Sequence, residues 1–216
     1  WNTLIAGYVE ESRGYEALKC FEWMQREGIS PDGVTYISIL KACGTSIAID
    51  KGKQFHYEIV NKDLLGKNIL LETSLVDMYA KCGLFLEAQE TFDKLQTRDV
   101  VSWNILIATY TEDGHVKEAL HCFKQMQEHA YNNNLTLLLI LIACASSGAL
   151  DIGREIHAEI ERKGLLEKDI VFNNTLVDMY FKCGLFAKGH EMFDKILVRD
   201  AVSWNILIAG CVQHGC

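Results

Sequence analysis

The sequence is poor in proline, lacks long apolar runs and carries no excess of basic residues. A single proline among 216 residues leaves most segments free to form helices. No run reaches the roughly 18 apolar residues of a membrane-spanning helix, so no membrane partner is expected. The net charge of −8, from 21 basic and 29 acidic residues, gives no support to a surface that attracts polyanions.

Catalytic motifs are missing as well. The chain has no glycine-rich phosphate loop, no nucleophile–base constellation and no C-x-x-C pair. The H-x-E tripeptides at His56 and His157 match half of a zinc deaminase signature, whose cysteine pair is absent. Cys211, His214 and Cys216 are too few for a closed zinc site, which needs about four ligands. The sequence therefore predicts no enzyme activity, no metal, no cofactor and no small-molecule substrate.

Eight cysteines raise the question of a disulfide framework. Six of them recur as pairs, one repeat period apart, inside segments with the apolar spacing of helices. A reduced cysteine packs there as a small hydrophobic residue. We expect the following thiols to be reduced and largely buried: Cys20, Cys43, Cys82, Cys122, Cys144 and Cys183.

The most informative feature is an internal repeat. The segment 73–85, TSLVDMYAKCGLF, returns as NTLVDMYFKCGLF at 174–186, an offset of 101 residues. The dipeptide WN stands at Trp1, Trp103 and Trp204. A fixed period predicts a stacked architecture, in which each unit buries its apolar face against its neighbours. Because WN opens the chain, the sequence is expected to be a segment of a longer array.

Apolar residues spaced three and four apart predict amphipathic helices throughout, with no convincing strand. Gly14 is interpreted as a break between the first two helices, and Gly28 as the end of the second. The pattern predicts six hairpins and a lone last helix, with helices at 1–11, 15–27, 34–43, 49–62, 69–82, 84–95, 101–112, 116–128, 135–146, 150–162, 171–183, 186–196 and 202–213.

The hairpins define motifs of three lengths. We expect a single solenoid domain over 1–216, with complete motifs of 36, 31, 34, 36 and 31 residues after the first. The cycle of three lengths explains why the visible period is about one hundred residues. The motif boundaries fall at about 1–32, 33–68, 69–99, 100–133, 134–169, 170–200 and, for a partial motif, 201–216.

These residues resemble the pentatricopeptide repeat family. The resemblance rests on the stretch 100–126, on LVDMYAKCG and on ACASSGALDIGREIHAEI, and it covers the whole chain. The 31-residue motifs resemble the plant subclass that alternates ordinary, long and short motifs, whereas a tetratricopeptide array would hold to about 34 residues. The resemblance implies an all-α fold, a right-handed superhelical α-solenoid of antiparallel helix–turn–helix repeats. It also implies binding of single-stranded RNA in the groove.

In that family each motif reads one base through its fifth and last residues, in the one-base-per-repeat manner of such arrays. The long motifs carry Ile37 with Asn68 and Leu138 with Asp169, and an aliphatic fifth residue cannot hydrogen-bond a base. In the other motifs the resemblance assigns base recognition to Asn2 with Asp32, Thr73 with Asp99, Asn104 with Asn133, Asn174 with Asp200, and Asn205. The loop before the fifth motif is one residue short, so Asn134 is an alternative to Asn133.

Further roles follow from the same resemblance. Lys81 and Lys182 match a lysine that reaches phosphate, whereas Glu10 and Glu112 hold that place in the ordinary-length motifs. The second residue of each motif is expected to pack against the base, which assigns base packing to Val34, Leu70, Val101, Leu135, Val171 and Val202.

A structural reading competes with base recognition. Asp99 and Asp200 precede helix starts, where an acidic N-cap is ordinary. Capping does not account for Thr73, Asn104 and Asn174, which lie one turn inside otherwise apolar helices. The recurrence of polar residues at this position favours a lined groove.

Two classes of function remain open. The first is sequence-specific single-stranded RNA binding, as the recognition tract of an RNA-processing factor of mitochondria or chloroplasts. The subclass most often directs C-to-U RNA editing, with other processing factors as further partners. The second is a tetratricopeptide-like scaffold that binds a peptide in its concave groove. The acidic charge favours the scaffold, and the paired polar residues favour RNA. The resemblance associates the pairs with the base order U-n-G-C-n-U.

Overall fold

The structure, a computed structural model, describes residues 1–128 and 133–214. Within these ranges the chain forms thirteen α-helices and no strand, which confirms the all-α prediction. The helices are α1 (Asn2–Glu10), α2 (Gly14–Arg26), α3 (Gly33–Ser46), α4 (Ile49–Asn61), α5 (Ile69–Lys81), α6 (Phe85–Asp93), α7 (Val100–Glu112), α8 (Val116–Glu128), α9 (Asn134–Ser147), α10 (Leu150–Arg162), α11 (Ile170–Lys182), α12 (Phe186–Asp194) and α13 (Ala201–His214).

The chain divides into two compact units, Trp1–Thr109 and Tyr110–Cys216. In the first unit α1, α3 and α5 contact one another in succession, and α2, α4 and α6 pack against that row. In the second unit α9, α11 and α13 form the row, and α8, α10 and α12 pack against it. Contacts between helices adjacent or next but one in the chain are those of a stacked repeat. The single domain over 1–216 stays a prediction.

The two helices of a hairpin are buried to different degrees. In α4 the buried residues Gly52, Phe55 and Ile59 form a stripe at intervals of three and four. In α5 eight residues are buried, and they cover most sides of the helix. The second helices therefore form an outer layer, with one face turned to the core. The exposed remainder of these first helices carries the six predicted base-packing residues.

Gly14 is not a break, so that interpretation is wrong. It is the first residue of α2, and a Cβ atom there would lie 2.7 Å from the carbonyl oxygen of Ala42. Glycine is required because α2 approaches the backbone of α3 closely. The left-handed residue between α1 and α2 is Ser12, with φ of 59°. Gly28, with φ of 77°, follows the end of α2 as predicted.

The described cysteines are reduced thiols. Five of the six recurring cysteines are buried, but Cys183 at the end of α11 is partly exposed, so the prediction of burial is wrong there. Burial raises the pKa of Cys43 and of Cys144 to about 12, which keeps both thiols protonated and inert.

Each H-x-E histidine has a structural role in the described fold. His56 Nδ1 lies 2.7 Å from the hydroxyl of Tyr79, and His157 Nδ1 lies 2.6 Å from that of Tyr180. Both bonds join the second helix of a long motif to the first helix of the next. Burial lowers the pKa of both imidazoles from the ordinary 6.5, because it disfavours the charged form.

These histidines predict that the protein loses stability in mild acid. The folded state keeps them neutral while the unfolded chain protonates them, so their contribution is fully present above pH 6.5. The free energy of unfolding should fall as the pH drops through that value towards the lowered folded pKa. Urea unfolding at about pH 7.5 and about pH 5.5 measures the loss. The loss should shrink in His56→Gln and persist in His121→Gln, a change on an exposed residue of α8. Equal losses in both variants would contradict the assignment.

Candidate functional site

The last residue of every predicted motif caps the first helix of the next motif. The side-chain oxygens accept backbone N–H groups at 2.8–3.0 Å: Asp32 from Thr35, Asn68 from Leu70, Asp99 from Ser102, Asn133 from Thr136, Asp169 from Val171 and Asp200 from Ser203. Such an oxygen satisfies one of the N–H groups that a helix start leaves without a partner. Asn133 rather than Asn134 holds the capping position before α9.

Capping is only part of what two of these carboxylates do. Asn2 Nδ2 donates a hydrogen bond to Asp32 Oδ1 at 3.2 Å, and Asn174 Nδ2 donates one to Asp200 Oδ1 at 3.2 Å. The partners are 30 residues apart in the first case and 26 in the second, because the short motif is shorter. The fold brings the same predicted pair together in motifs of different length.

A hydroxyl group that the sequence analysis missed joins each of these pairs. Thr35 Oγ1 lies 2.7 Å from the amide oxygen of Asn2, and Ser203 Oγ lies 2.7 Å from that of Asn174. The contact is invisible locally, because each hydroxyl belongs to the motif that follows its asparagine. The available signal was a hydroxyl at the third place of four motifs: Thr35, Ser102, Thr136 and Ser203.

The pair Thr73 and Asp99 is arranged differently. Asp99 caps α7 through the N–H of Ser102, and Ser102 Oγ donates to the backbone oxygen of Asp99 at 2.9 Å. The hydroxyl oxygen of Thr73 is buried and has no hydrogen-bond partner among the described residues. A buried hydroxyl without a hydrogen-bond partner costs about 1–3 kcal/mol.

The other predicted fifth residues lie on first helices. Asn104 is buried on α7 and Asn205 is exposed on α13. Ile37 and Leu138 are half-buried on α3 and α9. The recognition roles of the first two, and the lack of base preference at the other two, stay predictions.

The six predicted base-packing residues are exposed apolar side chains at the second position of a first helix. Their exposed fractions lie between 48% and 63%: Val34, Leu70, Val101, Leu135, Val171 and Val202. Aliphatic groups left in water gain roughly 25 cal/mol for every Å² that a ligand covers. One such group in each motif is the pattern of a surface that is covered on binding.

A cavity in the second unit gathers four predicted residues. Val171, Asn174, Asp200 and Val202 line a cleft of about 330 Å³, together with Asp178 and several isoleucines. This volume is within the range of small-molecule sites, roughly 300–1,000 Å³. The cleft has aliphatic walls at two successive motifs and a polar pair between them. It can hold a flat ring by its faces and hydrogen-bond its edge.

Two models of one repeat family match this chain. The PPR repeat family matches residues 1–45 and 98–146, and the PPR repeat matches 73–100, 174–200 and 202–216. Together the matches cover more than half of the chain. The chain belongs to the pentatricopeptide repeat family.

Curated pentatricopeptide repeat proteins of Arabidopsis thaliana match along the same length. The chloroplastic protein At4g18520 is 37% identical over 216 residues, and the mitochondrial protein At3g09040 is 34% identical over 215 residues. The matches cover 100% and 99% of this chain but 35% and 21% of those proteins. The chain thus spans about a third or less of the length of these relatives.

Solved structures show the same pentatricopeptide repeat fold. The crystal structure of PPR10 from maize matches with a TM-score of 0.66 at 19% identity, over 97% of this chain and 36% of that one. PPR10 in complex with an 18-nt psaJ RNA element matches with a TM-score of 0.58 at 17% identity, over 98% and 37%. At these identities the likeness is evidence for the fold.

The two lysines predicted to contact phosphate in this pentatricopeptide repeat chain already have acidic partners. Lys81 Nζ lies 2.7 Å from Asp77 Oδ2, and Lys182 Nζ lies 2.8 Å from Asp178 Oδ2, one helical turn away in each case. All four side chains are partly exposed, so each ion pair is worth well under about 1 kcal/mol. Each aspartate therefore competes with a phosphate for its lysine, and its negative charge repels the phosphate.

Hydrogen bonds hold the pKa of Asp32 and of Asp200 below the ordinary aspartate value. The largest contribution at Asp32 is the backbone N–H of Thr35, and at Asp200 it is that of Ser203. Both carboxylates are ionised at neutral pH, so they can only accept hydrogen bonds. Each therefore turns the Nδ2 group of its asparagine towards itself.

The described residues contain no group of three or more His, Cys, Asp or Glu side chains that could hold a metal ion. Of the cluster weighed in the sequence, Cys216 and the side chain of His214 lie outside the described residues. Among the described helices, none is long and apolar enough to cross a membrane.

Proposed function

We propose that this chain binds single-stranded RNA with sequence specificity, one base per motif. The observation that carries the proposal is the cleft lined by Val171, Asn174, Asp200 and Val202. Exposed aliphatic side chains can take the two faces of an unstacked base, and the polar pair can bond its edge. The RNA complex of PPR10, which shares the fold, supports the same class of ligand.

Within this proposal the chain is the recognition tract of an organelle RNA-processing factor. The relatives named chloroplastic and mitochondrial support the organelle. The cycle of motif lengths supports the plant subclass with long and short motifs. C-to-U editing is the reaction we propose for the parent protein, with its chemistry outside these residues and other processing factors as partners.

The proposed base order is U-n-G-C-n-U, read 5′ to 3′ from the N-terminal motif. Asn with Asp takes uracil, Thr with Asp guanine, and Asn with Asn cytosine. The long motifs with Ile37 and Leu138 leave the second and fifth bases unread. The buried, unpaired hydroxyl of Thr73 supports a different base for the third motif than for the sixth, whose Asn174 has one hydrogen bond at each end of its amide.

A peptide-binding scaffold is the second candidate, favoured by the net charge of −8. A chain of negative net charge attracts a basic peptide, whereas it repels phosphates. The repeated pairing of fifth and last residues gives this candidate no specific support.

Removal of the cleft walls tests the proposal. Val171→Ser and Val202→Ser should each weaken filter binding of an RNA carrying U-n-G-C-n-U by roughly fivefold, because each exposed valine buries about half of its apolar surface against a base. Leu86→Ser is the control, since Leu86 is an apolar residue on the second helix α6 that is more exposed, at 79%, than either valine.

The control separates groove binding from general surface effects. Wild type and Leu86→Ser should bind alike, and a scrambled RNA should bind more weakly to both. Failure of the wild-type chain to bind any single-stranded RNA, together with capture of basic peptides, would favour the scaffold.

The acidic partners of the two lysines predict a shallow salt dependence. On a single strand the slope of log K against log salt is about 0.7 per neutralised phosphate. Replacing Asp77 and Asp178 by Asn releases Lys81 and Lys182, so the slope should steepen by about 1.4 and the affinity at low salt should rise.

A control tests whether the lysines cause the steeper salt dependence. Adding Lys182→Gln to the double variant should remove about half of the added slope. A wild-type slope that already corresponds to six or more phosphates would contradict this distribution of charge.

A further inference from the structure

The feature that carries a further inference is the buried hydroxyl at the third place of a motif. Thr35 and Ser203 are both fully buried, although each is a short polar residue in the first turn of a helix. Each accepts a hydrogen bond from the backbone N–H of the capping aspartate at 3.2 Å. The hydroxyl oxygen is thus anchored, and its single proton remains to be donated.

The destination of that proton follows from the neighbouring groups. Ser203 Oγ lies 2.7 Å from Asn174 Oδ1 and 2.9 Å from Asp200 Oδ1. Asp200 Oδ1 already accepts from the N–H of Ser203 at 2.8 Å and from Asn174 Nδ2 at 3.2 Å. The amide oxygen of Asn174 is the closer acceptor and the less occupied one. The hydroxyl of Ser203 therefore donates its hydrogen bond to Asn174 Oδ1.

The same arrangement recurs in the first unit. Thr35 Oγ1 lies 2.7 Å from Asn2 Oδ1 and 2.8 Å from Asp32 Oδ1. Asp32 Oδ1 accepts from the N–H of Thr35 and from Asn2 Nδ2. Two units with different sequences thus build the same triad of asparagine, aspartate and hydroxyl.

We propose that Thr35 and Ser203 are positioning residues that set the base specificity of the motif before their own. The hydroxyl holds Oδ1 of the asparagine while the aspartate holds Nδ2, so the amide cannot exchange its two ends. The remaining N–H and the remaining lone pair then face the base in one fixed order. The inference rests on the proposed function, because it concerns which base the groove selects.

A fixed amide separates uracil from cytosine. The two bases present opposite patterns at the edge: uracil donates from N3 and accepts at O4, whereas cytosine accepts at N3 and donates from N4. An amide locked at both ends matches one pattern and opposes the other. An amide held only by the aspartate, at 3.2 Å, can adjust to either base.

The second, third and fifth motifs, whose fifth residues are not asparagine, agree with the inference. The third residues that follow the long motifs are Leu71 and Phe172, which are buried and cannot donate a hydrogen bond. The fifth residues of those long motifs are Ile37 and Leu138, which have no amide to orient. Ser102 has the hydroxyl, but the fifth residue of the motif before it is Thr73, which has no side-chain amide. Ser102 Oγ instead donates a hydrogen bond to the backbone oxygen of Asp99.

The experiment measures base preference at one position at a time. Ser203→Ala removes the hydroxyl and Ser203→Thr keeps it. Dissociation constants are measured by filter binding for RNAs that differ only by uracil or cytosine at the sixth base. In Ser203→Ala the ratio of the two constants should fall by roughly 2- to 12-fold, the worth of one hydrogen bond. Ser203→Thr should restore it.

The first base provides the internal control. The uracil preference there should be unchanged in Ser203→Ala and reduced in Thr35→Val, with Thr35→Ser restoring it. Loss of helix stability alone would lower the affinity for all RNAs alike and leave both ratios unchanged. That result, in a wild-type chain that does prefer uracil at both bases, would overturn the positioning role while the proposed function stands. A wild-type chain without base preference would overturn the proposed function itself.

Discussion

Thr73→Asn is expected to change the third base selected by the groove from guanine to uracil. The variant places an amide where the wild-type hydroxyl is buried and without a described partner. Asp99 and Ser102 hold the same motif positions relative to residue 73 that Asp200 and Ser203 hold relative to Asn174. The amide can therefore form the hydrogen bonds that the sixth motif already shows.

The reciprocal change is the matched control. Asn174→Thr beside Asp200 should move the sixth base from uracil to guanine. A mismatched base leaves a buried polar group unpaired at about 1–3 kcal/mol, so each preference should change by roughly 5- to 150-fold. Binding to RNAs with single-base changes measures both shifts. If both variants keep the wild-type preferences, these residues do not read bases.

Among the substitutions proposed for this chain, Trp103→Ala is expected to lower the free energy of unfolding most. Trp103 is 2% exposed, and its ring packs edge-on against Phe92 with ring centroids 4.6 Å apart. Removing a buried tryptophan of this kind costs about 3–5 kcal/mol, through lost burial and the cavity that remains. A loss of that size is a large part of the roughly 5–15 kcal/mol that stabilises a typical domain.

Trp204→Ala is the matched comparison. Trp204 holds the same motif position and packs against Phe193 at 5.2 Å, but it is 49% exposed. Its loss should cost less than half as much, because half of its surface is already in water. Urea unfolding of the two variants measures the difference. Equal losses would show that the motif position rather than burial sets the contribution.

The helices were predictable because their signal is local and repeated. Residues such as Ala88, Phe92 and Leu95 recur at spacings that only a helix brings to one side, and the structure buries all three. Gly14 was misread because a glycine before a helix has two physical uses. Glycine can make the backbone flexible, or it can let two helices approach closely, and the sequence looks the same in both cases. The 2.7 Å between the position of a Cβ atom at Gly14 and the carbonyl oxygen of Ala42 identifies the second use.

The candidate site was predictable where a residue type and a motif position coincide. The pairs Asn2 with Asp32 and Asn174 with Asp200 were named from their motif positions through the family resemblance, and they are hydrogen-bonded in the structure. The bridging hydroxyls were missed because a serine or threonine at a helix start already has a capping role. Their second contact depends on the packing of successive first helices, which no single motif encodes.

Selection of the unmodified chain against a random pool of single-stranded RNA tests the central claim most directly. The account predicts enrichment of U-n-G-C-n-U, with guanine at the third base and no preference at the second and fifth. Enrichment of no sequence, or of one with strong preferences opposite Ile37 and Leu138, would contradict it.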